Sequence, residues 1–145
     1  MAKLPLVIYL SLEDEPHLVG TVCDNCGAIY LDRRVACGRC GGTAFSHRPL
    51  SETGTLRTFT VIHRAAPGVK VPYTSVVVDL DGGGVVKANL RGPHDVADLH
   101  AGARVRLTTY DAATDAAGDV AVAFAFELDP QKAQLEPQKE GALNV

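Results

Sequence analysis

All four cysteines of the chain lie in one stretch, "TVCDNCGAIYLDRRVACGRCGG" (residues 21–42), as two Cys-x-x-Cys-Gly units. Two residues between paired cysteines let the chain curl around one ion, and four thiolates complete the tetrahedron that Zn²⁺ prefers. Gly27 and Gly41 follow the pairs, where glycine permits the positive φ that aims backbone N–H groups at sulfur. The pattern predicts a structural zinc site with the ligands Cys23, Cys26, Cys37 and Cys40.

The spacer between Cys26 and Cys37 is shorter than the roughly 15–20 residues of the commonest spacing. It still has room for two short strands and a turn, with "AIYL" (28–31) as one arm and "DRR" (32–34) at the bend. Iron of the rubredoxin type uses the same cysteine pairs, so the metal's identity stays open. A thioredoxin-like centre would use one Cys-x-x-Cys, and disulfides would need an oxidising compartment.

A four-cysteine site has no open coordination position for a catalytic water. No cysteine is left over as a nucleophile, and the five histidines have no serine or acid at a recognisable catalytic spacing. The cysteine module is therefore predicted to clamp the fold, and no activity is expected from this chain alone.

The length and the net charge of the chain exclude further classes of protein. The 145 residues suit one ordinary domain, or a minimal module joined to a small domain. The net charge of -3 provides no general field for nucleic acid. No apolar run approaches the roughly 20 residues that span a bilayer. The first 16 residues have no small-residue cleavage site and end in an acidic cluster, so we expect a cytoplasmic protein without a membrane partner.

The region 51–129 alternates with a period of two, which indicates strands with two unequal faces. Only "PHDVADLHAG" (93–102) looks helical, with Asp95 as N-cap and Gly102 just past its end. Five strands with a brief helix between the third and fourth follow the order of an OB-fold, although periodicity alone also allows a sandwich or an SH3-like barrel. The strands are "TLRTFTVIH" (55–63), "TSVVVDL" (74–80), "VVKANL" (85–90), "RVRLTTY" (104–110) and "VAVAFAF" (120–126).

The predicted fold class is mainly β: a rubredoxin-like zinc ribbon followed by a five-stranded OB-fold barrel with one short helix. We expect four segments. They are an N-terminal docking segment (1–16) that is β-prone and packs on the core or on a partner, the zinc ribbon (17–50), the OB-fold domain (51–129) and a polar, flexible C-terminal tail (130–145).

A zinc ribbon running straight into an OB barrel resembles the DUF35 family, the acyl-CoA-associated zinc-ribbon/OB-fold proteins. The resemblance covers roughly residues 17–128. It is most specific where "GTLRTFTVIHR" is followed by "VPYTSVVVDLDGG". One departure is the N-terminus: family members commonly begin with a helical segment that packs on the partner, whereas "KLPLVIYLSL" reads as β. Another is the position before "SETGTL", where the family often has an aromatic residue and this chain has only Phe45 nearby.

The resemblance implies a non-catalytic accessory subunit of a thiolase-fold enzyme. Partners in the family look like acetoacetyl-CoA thiolases with hydroxymethylglutaryl-CoA synthase, benzoylsuccinyl-CoA thiolase, and steroid side-chain aldolases. The catalytic partner would then supply the cysteine and histidine chemistry. Such a chain stabilises its partner and could help to bind coenzyme A.

A role in binding coenzyme A would require basic groups for its phosphates, which take charge-assisted hydrogen bonds from such side chains. The loop after the first barrel strand and the third strand are a usual OB-fold ligand surface. They offer His63, Arg64, Lys70, Lys87 and Arg91 as candidate coenzyme A contacts.

The alternative function is a single-stranded nucleic-acid-binding module, because both zinc ribbons and OB barrels bind oligonucleotides. Such recognition needs a basic groove with aromatic stacking platforms. The region 51–129 contains more Asp and Glu than Lys and Arg, and few aromatic residues. The composition disfavours this alternative, and no nucleic-acid partner is expected.

Overall fold

The structure is a computed structural model that describes residues 1–129, and the predicted C-terminal tail (130–145) lies outside them. As predicted, the fold is mainly β. The described elements are β1 (Lys3–Pro5), β2 (Leu10–Ser11), β3 (His17–Cys23), β4 (Ile29–Tyr30), β5 (Phe45–Pro49), β6 (Thr53–Ile62), β7 (Tyr73–Leu80), β8 (Val85–Leu90), a 3₁₀ helix (Val96–Asp98), β9 (Arg104–Thr114) and β10 (Val120–Leu128).

Five of these strands close into a barrel. β6, β7 and β8 form an antiparallel meander, and β9 pairs with β6. β10 then joins the two ends of this sheet, antiparallel to β9 and parallel to β8 at the Phe126–Leu90 pair. A brief helix between the third and fourth barrel strands completes the arrangement of an OB-fold, so the barrel prediction is confirmed.

Alternation along the strands decides which side chains fill the barrel. In β8, Val86 and Leu90 are buried while Val85, Lys87 and Asn89 are exposed, as the period of two predicts. β7 lies between β6 and β8 and buries every second residue, among them Thr74, Val76, Val78 and Leu80. The outward residues of β7 and β8 therefore form a mixed face, with polar side chains and two valines, over an apolar core.

The predicted helix is a single 3₁₀ turn. The Asp95 side chain accepts a hydrogen bond from the backbone N–H of Ala97 at 3.4 Å, which confirms the N-cap. The helix ends at Asp98, well before Gly102, because Leu99 is extended and buries its side chain in the core. Gly102 has a φ of +94° in the turn before β9. No helix among residues 1–129 is long and apolar enough to cross a bilayer.

The N-terminal segment consists of two short strands joined by a turn, and it contacts both parts of the molecule. β1 runs parallel to β10, with Lys3 opposite Val120, and β2 pairs with β3. Between them, Val7 and Tyr9 pack against the core, and the Tyr9 ring meets the edge of Phe124 at a centroid distance of 5.9 Å. The β character of this segment was predicted, but its parallel pairing with the last barrel strand was not.

The zinc ribbon differs from the prediction in one of its strands. "AIYL" contains β4 as expected, but β4 is the only described strand between Cys26 and Cys37. Its partner is β3, which ends at Cys23, the first cysteine. β5 follows the second cysteine pair and flanks β3 on the other side. The prediction of two strands within the spacer is wrong, because the residues after Tyr30 are needed to turn the chain back to Cys37.

The ribbon packs on the turn between β7 and β8. Gly82, Gly83 and Gly84 all have positive φ there. A Cβ on Gly83 would lie 2.6 Å from Cδ1 of Ile29 in β4, so the close approach of the ribbon requires glycine. Arg48 donates a hydrogen bond to the Gly82 carbonyl at 3.2 Å, which links β5 to the same turn.

Candidate functional site

The four predicted ligands come together at one point of the ribbon. Their sulfurs all lie within 4.8 Å of one another. Sγ of Cys23 is 3.6 Å from Sγ of Cys40, and Sγ of Cys26 is 3.5 Å from Sγ of Cys37. A tetrahedron of metal–sulfur bonds near 2.3 Å has edges of about 3.8 Å, so the cluster has the size of a four-thiolate metal site.

Two similar backbone loops hold the sulfurs. The N–H of Gly27 donates to the Cys23 carbonyl at 2.9 Å, and the N–H of Gly41 donates to the Cys37 carbonyl at 2.8 Å. These glycines have φ values of +78° and +77°, the left-handed conformation that the sequence predicted for them. Each Cys-x-x-Cys-Gly unit therefore forms the same tight turn.

Side-chain hydrogen bonds from residues outside the ligand set reach two of the sulfurs. The Tyr30 hydroxyl donates to Sγ of Cys37 at 3.4 Å and accepts from the N–H of Gly38 at 3.1 Å. The Asn25 side-chain amide donates to Sγ of Cys40 at 3.3 Å. Such partners orient the ligands and stabilise thiolates. Sequence reasoning missed Tyr30 and Asn25, and the only available signal was their position beside the cysteine pairs.

Hydrogen bonds and burial shift the pKa values of three of the four thiols, and not all in the same direction. The Tyr30 hydrogen bond is the main cause that lowers the pKa of Cys37 to about 5. The Asn25 and Gly42 hydrogen bonds lower the pKa of Cys40. The backbone N–H of Ala28 lowers the pKa of Cys26, but burial and the three neighbouring thiols outweigh it and raise that pKa to about 11. Geometry points to a metal ion: four cysteine sulfurs within 4.8 Å of one another form the tetrahedral donor set that fits zinc.

The five predicted coenzyme A contacts are distributed over one side of the barrel. Lys70 and Arg91 line one groove, which we call the basic groove, with a volume of about 630 Å³ beside Tyr73 and His94. Lys87 lines a second groove of about 220 Å³, the apolar groove, beside Leu6, Val7, Tyr9 and Phe124. His63 and Arg64 lie in the exposed loop after β6 and line neither groove.

His94 is held by both of its ring nitrogens. Nδ1 lies 3.0 Å from the Gly92 carbonyl, which can only accept, so Nδ1 is the protonated nitrogen. Nε2 lies 3.3 Å from the hydroxyl of Thr74, a buried residue of β7. His94 therefore links the segment after β8 to β7 and forms part of the wall of the basic groove.

Most aromatic rings of the barrel are engaged in packing. Phe126 is fully buried, and Phe59 and Phe124 pack against the core. The Arg91 guanidinium lies 3.9 Å from the centroid of the Tyr110 ring. Rings in these positions are poor stacking platforms for bases, which disfavours the nucleic-acid alternative.

Two families match consecutive parts of the chain. Residues 11–46 match "ChsH2, rubredoxin-like zinc ribbon domain", and residues 47–109 match "ChsH2, C-terminal OB-fold domain". The solved structure "Ltp2-ChsH2(DUF35) aldolase" is similar with a TM-score of 0.62 and 23% identity, over 77% of this chain and 84% of that chain. At this identity the likeness shows the fold.

Curated relatives match about half of the chain. A "DUF35 domain-containing scaffold protein" from Methanocaldococcus jannaschii is 29% identical over 56% of this chain and 60% of its own length. "Benzoylsuccinyl-CoA thiolase subunit BbsA" is 32% identical in Thauera aromatica, over 53% of this chain, and in Geobacter metallireducens, over 55%. The matched regions span only 54% of each BbsA chain. Together with the two consecutive domain matches, these likenesses show that the chain belongs to the DUF35 family of zinc-ribbon and OB-fold proteins.

Proposed function

We propose that this chain is a non-catalytic accessory subunit of a thiolase-like complex. The observation that carries the proposal is the gathering of all four cysteines of the chain in one closed cluster. If these thiolates hold a structural zinc ion, none of them is free to form the covalent intermediate that a thiol nucleophile would form. The bond-making groups then come from another chain.

The printed names of the relatives support this proposal. Both BbsA proteins are named as subunits of a thiolase, and the archaeal relative is named as a scaffold protein. The partner proposed here is a thiolase-fold catalytic chain that acts on an acyl-CoA, either a thiolase or an aldolase.

To test the proposal, the tagged chain is purified from its native host, and the proteins that co-purify with it are identified. The thiolase-fold chain recovered is then assayed for thiolysis alone, with this chain, and with a Cys23→Ser/Cys26→Ser variant of this chain. We expect no thiolysis from this chain alone, and more from the wild-type pair than from the pair with the variant. Thiolysis by the purified chain alone, or recovery without a thiolase-fold chain, would overturn the proposal.

Contact with coenzyme A is a further part of the proposal, and the shared groove of Lys70 and Arg91 supports it. Both side chains are exposed, and phosphates bind such groups through charge-assisted hydrogen bonds. Lys70→Ala should weaken the binding of coenzyme A to the complex, whereas Lys3→Ala, which removes a lysine from another surface, should not. Unchanged affinity in Lys70→Ala and Arg64→Ala would show that the loop does not touch the phosphates.

A further inference from the structure

The four cysteines of the cluster, all within the described residues, differ in their access to solvent. Cys23 is 1% exposed and Cys37 is 4% exposed, so both are buried. Cys26 is half-buried, and Cys40 is exposed. A reagent that arrives from solvent therefore meets the sulfur of Cys40 before it meets the other three. Metal binding alone does not explain this asymmetry, because a closed four-thiolate site needs no exposed ligand.

A tyrosine and an arginine cover the side of the cluster at Cys37. The Tyr30 hydroxyl donates to Sγ of Cys37 at 3.4 Å, and the Arg34 guanidinium packs over the Tyr30 ring. Nη2 of Arg34 also lies 3.1 Å from the position that a Cβ of Gly38 would take. These two side chains explain why Cys37 is buried although its neighbours in the chain, Ala36 and Gly38, are exposed.

A glycine lies on the side of the cluster at Cys40. The N–H of Gly42 donates to Sγ of Cys40 at 3.4 Å. A Cβ at position 42 would lie 3.3 Å from Sγ of Cys40 and 3.5 Å from Sγ of Cys23. With glycine there, the space beside both sulfurs is left free of a side chain. The sulfur pair of Cys23 and Cys40 is therefore the open edge of the cluster.

The backbone holds Cys23 beside the segment that carries Cys40. The two sulfurs belong to different Cys-x-x-Cys-Gly units and lie 3.6 Å apart. β3 ends at Cys23, which is opposite Phe45, the first residue of β5, in the antiparallel register. The pairing of β3 with β5 therefore keeps a second thiol close to the exposed one. An exposed cysteine next to such a second thiol is the arrangement that forms a disulfide on oxidation.

We propose that Cys40 is a site of oxidative modification by peroxide, and that Cys23 then forms a disulfide with it and the metal ion is released. Peroxide oxidises the sulfur of Cys40 to a sulfenic acid as the O–O bond breaks and hydroxide leaves. Sγ of Cys23 attacks this sulfur, the S–S bond forms, and a second hydroxide leaves. The two thiolates lose two electrons, which reduce one peroxide. The two remaining sulfurs cannot complete a four-sulfur site.

The test treats the zinc-loaded full chain with excess hydrogen peroxide over hours, because sulfurs that hold a metal ion react slowly. Released zinc is followed with a chromophoric indicator, and disulfides are mapped by mass spectrometry without reduction. Trypsin cleaves after Arg39 and endoproteinase Asp-N before Asp24, so the four cysteines fall into separate peptides. We expect the first disulfide to join Cys23 to Cys40, with one zinc ion lost from each chain that carries it. Reduction with dithiothreitol and added zinc should restore the bound ion.

Two glycines of the ribbon provide a matched pair of variants. Gly42→Ala would place a methyl group against the sulfurs of Cys23 and Cys40, whereas Gly38→Ala would place one against the Arg34 guanidinium. Gly42→Ala should slow the release of zinc by about fivefold, which corresponds to about 1 kcal/mol in the barrier. Gly38→Ala should leave the rate unchanged. Chelator competition before oxidation shows whether each variant holds zinc, and the disulfide map of the wild type decides the site independently of both.

A first disulfide within one Cys-x-x-Cys unit, or disulfide formation without loss of zinc, would overturn the proposal. Cysteines that all stay reduced under peroxide, or an equal effect of the two glycine variants, would overturn it as well. None of these results touches the accessory role, which is tested separately by co-purification and by thiolysis of the reconstituted pair.

Discussion

Tyr30 offers the sharpest test of how the ribbon supports its metal. Tyr30→Phe removes the hydroxyl that donates to Sγ of Cys37, while the ring that packs under the Arg34 guanidinium remains. Loss of a hydrogen bond to a ligand typically lowers metal affinity by about 10- to 100-fold. We expect Tyr30→Phe to lower the zinc affinity by about tenfold. The loss is at the lower end of this range because Cys37 still accepts a hydrogen bond from the backbone N–H of Arg39, and the exposed N–H of Gly38 can donate to water instead.

The assay is competition for zinc with a chromophoric chelator at constant pH, with circular dichroism to confirm that the variant is folded. Tyr73→Phe is the matched control, because it removes a hydroxyl from the barrel strand β7 and leaves the ribbon intact. Affinity of Tyr30→Phe within twofold of the wild type would refute the reasoning. A similar loss in both variants would do the same.

Other variants test the packing around the turn between β7 and β8. Asp81→Ala should lower the free energy of unfolding by about 2 kcal/mol, because it removes the ion pair with Arg104, which is only 20% exposed. This value lies between those typical of exposed and of buried ion pairs. Asp79→Ala, whose arginine partner is 56% exposed, should change it much less in the same denaturant titration. In the same titration, Gly83→Ala should lower the free energy of unfolding by about 1 kcal/mol more than Gly82→Ala does. Only a methyl group at position 83 would clash with Ile29. Metal affinity, followed by chelator competition, should fall as the pH falls, because protons compete for the four thiolates.

The strands of the barrel were predictable because their residues alternate visibly. In β8, for example, apolar Val86 and Leu90 alternate with polar Lys87 and Asn89. The apolar pair is buried and the polar pair is exposed. The cysteine cluster was predictable for a similar reason, because both Cys-x-x-Cys-Gly turns are local in sequence. A regular local pattern is sufficient where neighbours in the chain determine the geometry.

Features that depend on distant contacts were not predictable from such patterns. β1 pairs with β10, and the pair Lys3–Val120 joins residues at opposite ends of the described chain. Lys70 and Arg91 share a groove because β7 and β8 are adjacent, whereas His63 and Arg64 line neither the basic groove nor the apolar groove. Tyr30 lies in a strand of two residues, which has no periodicity to mark its role.

If one metal ion engages all four cysteines, the chain has no thiol nucleophile left. Metal analysis combined with thiol titration of the purified protein tests it most directly. We expect one zinc ion per chain and no reactive thiol until the metal is removed, and four reactive thiols afterwards. Metal-free protein with four reactive thiols and an intact fold would contradict it.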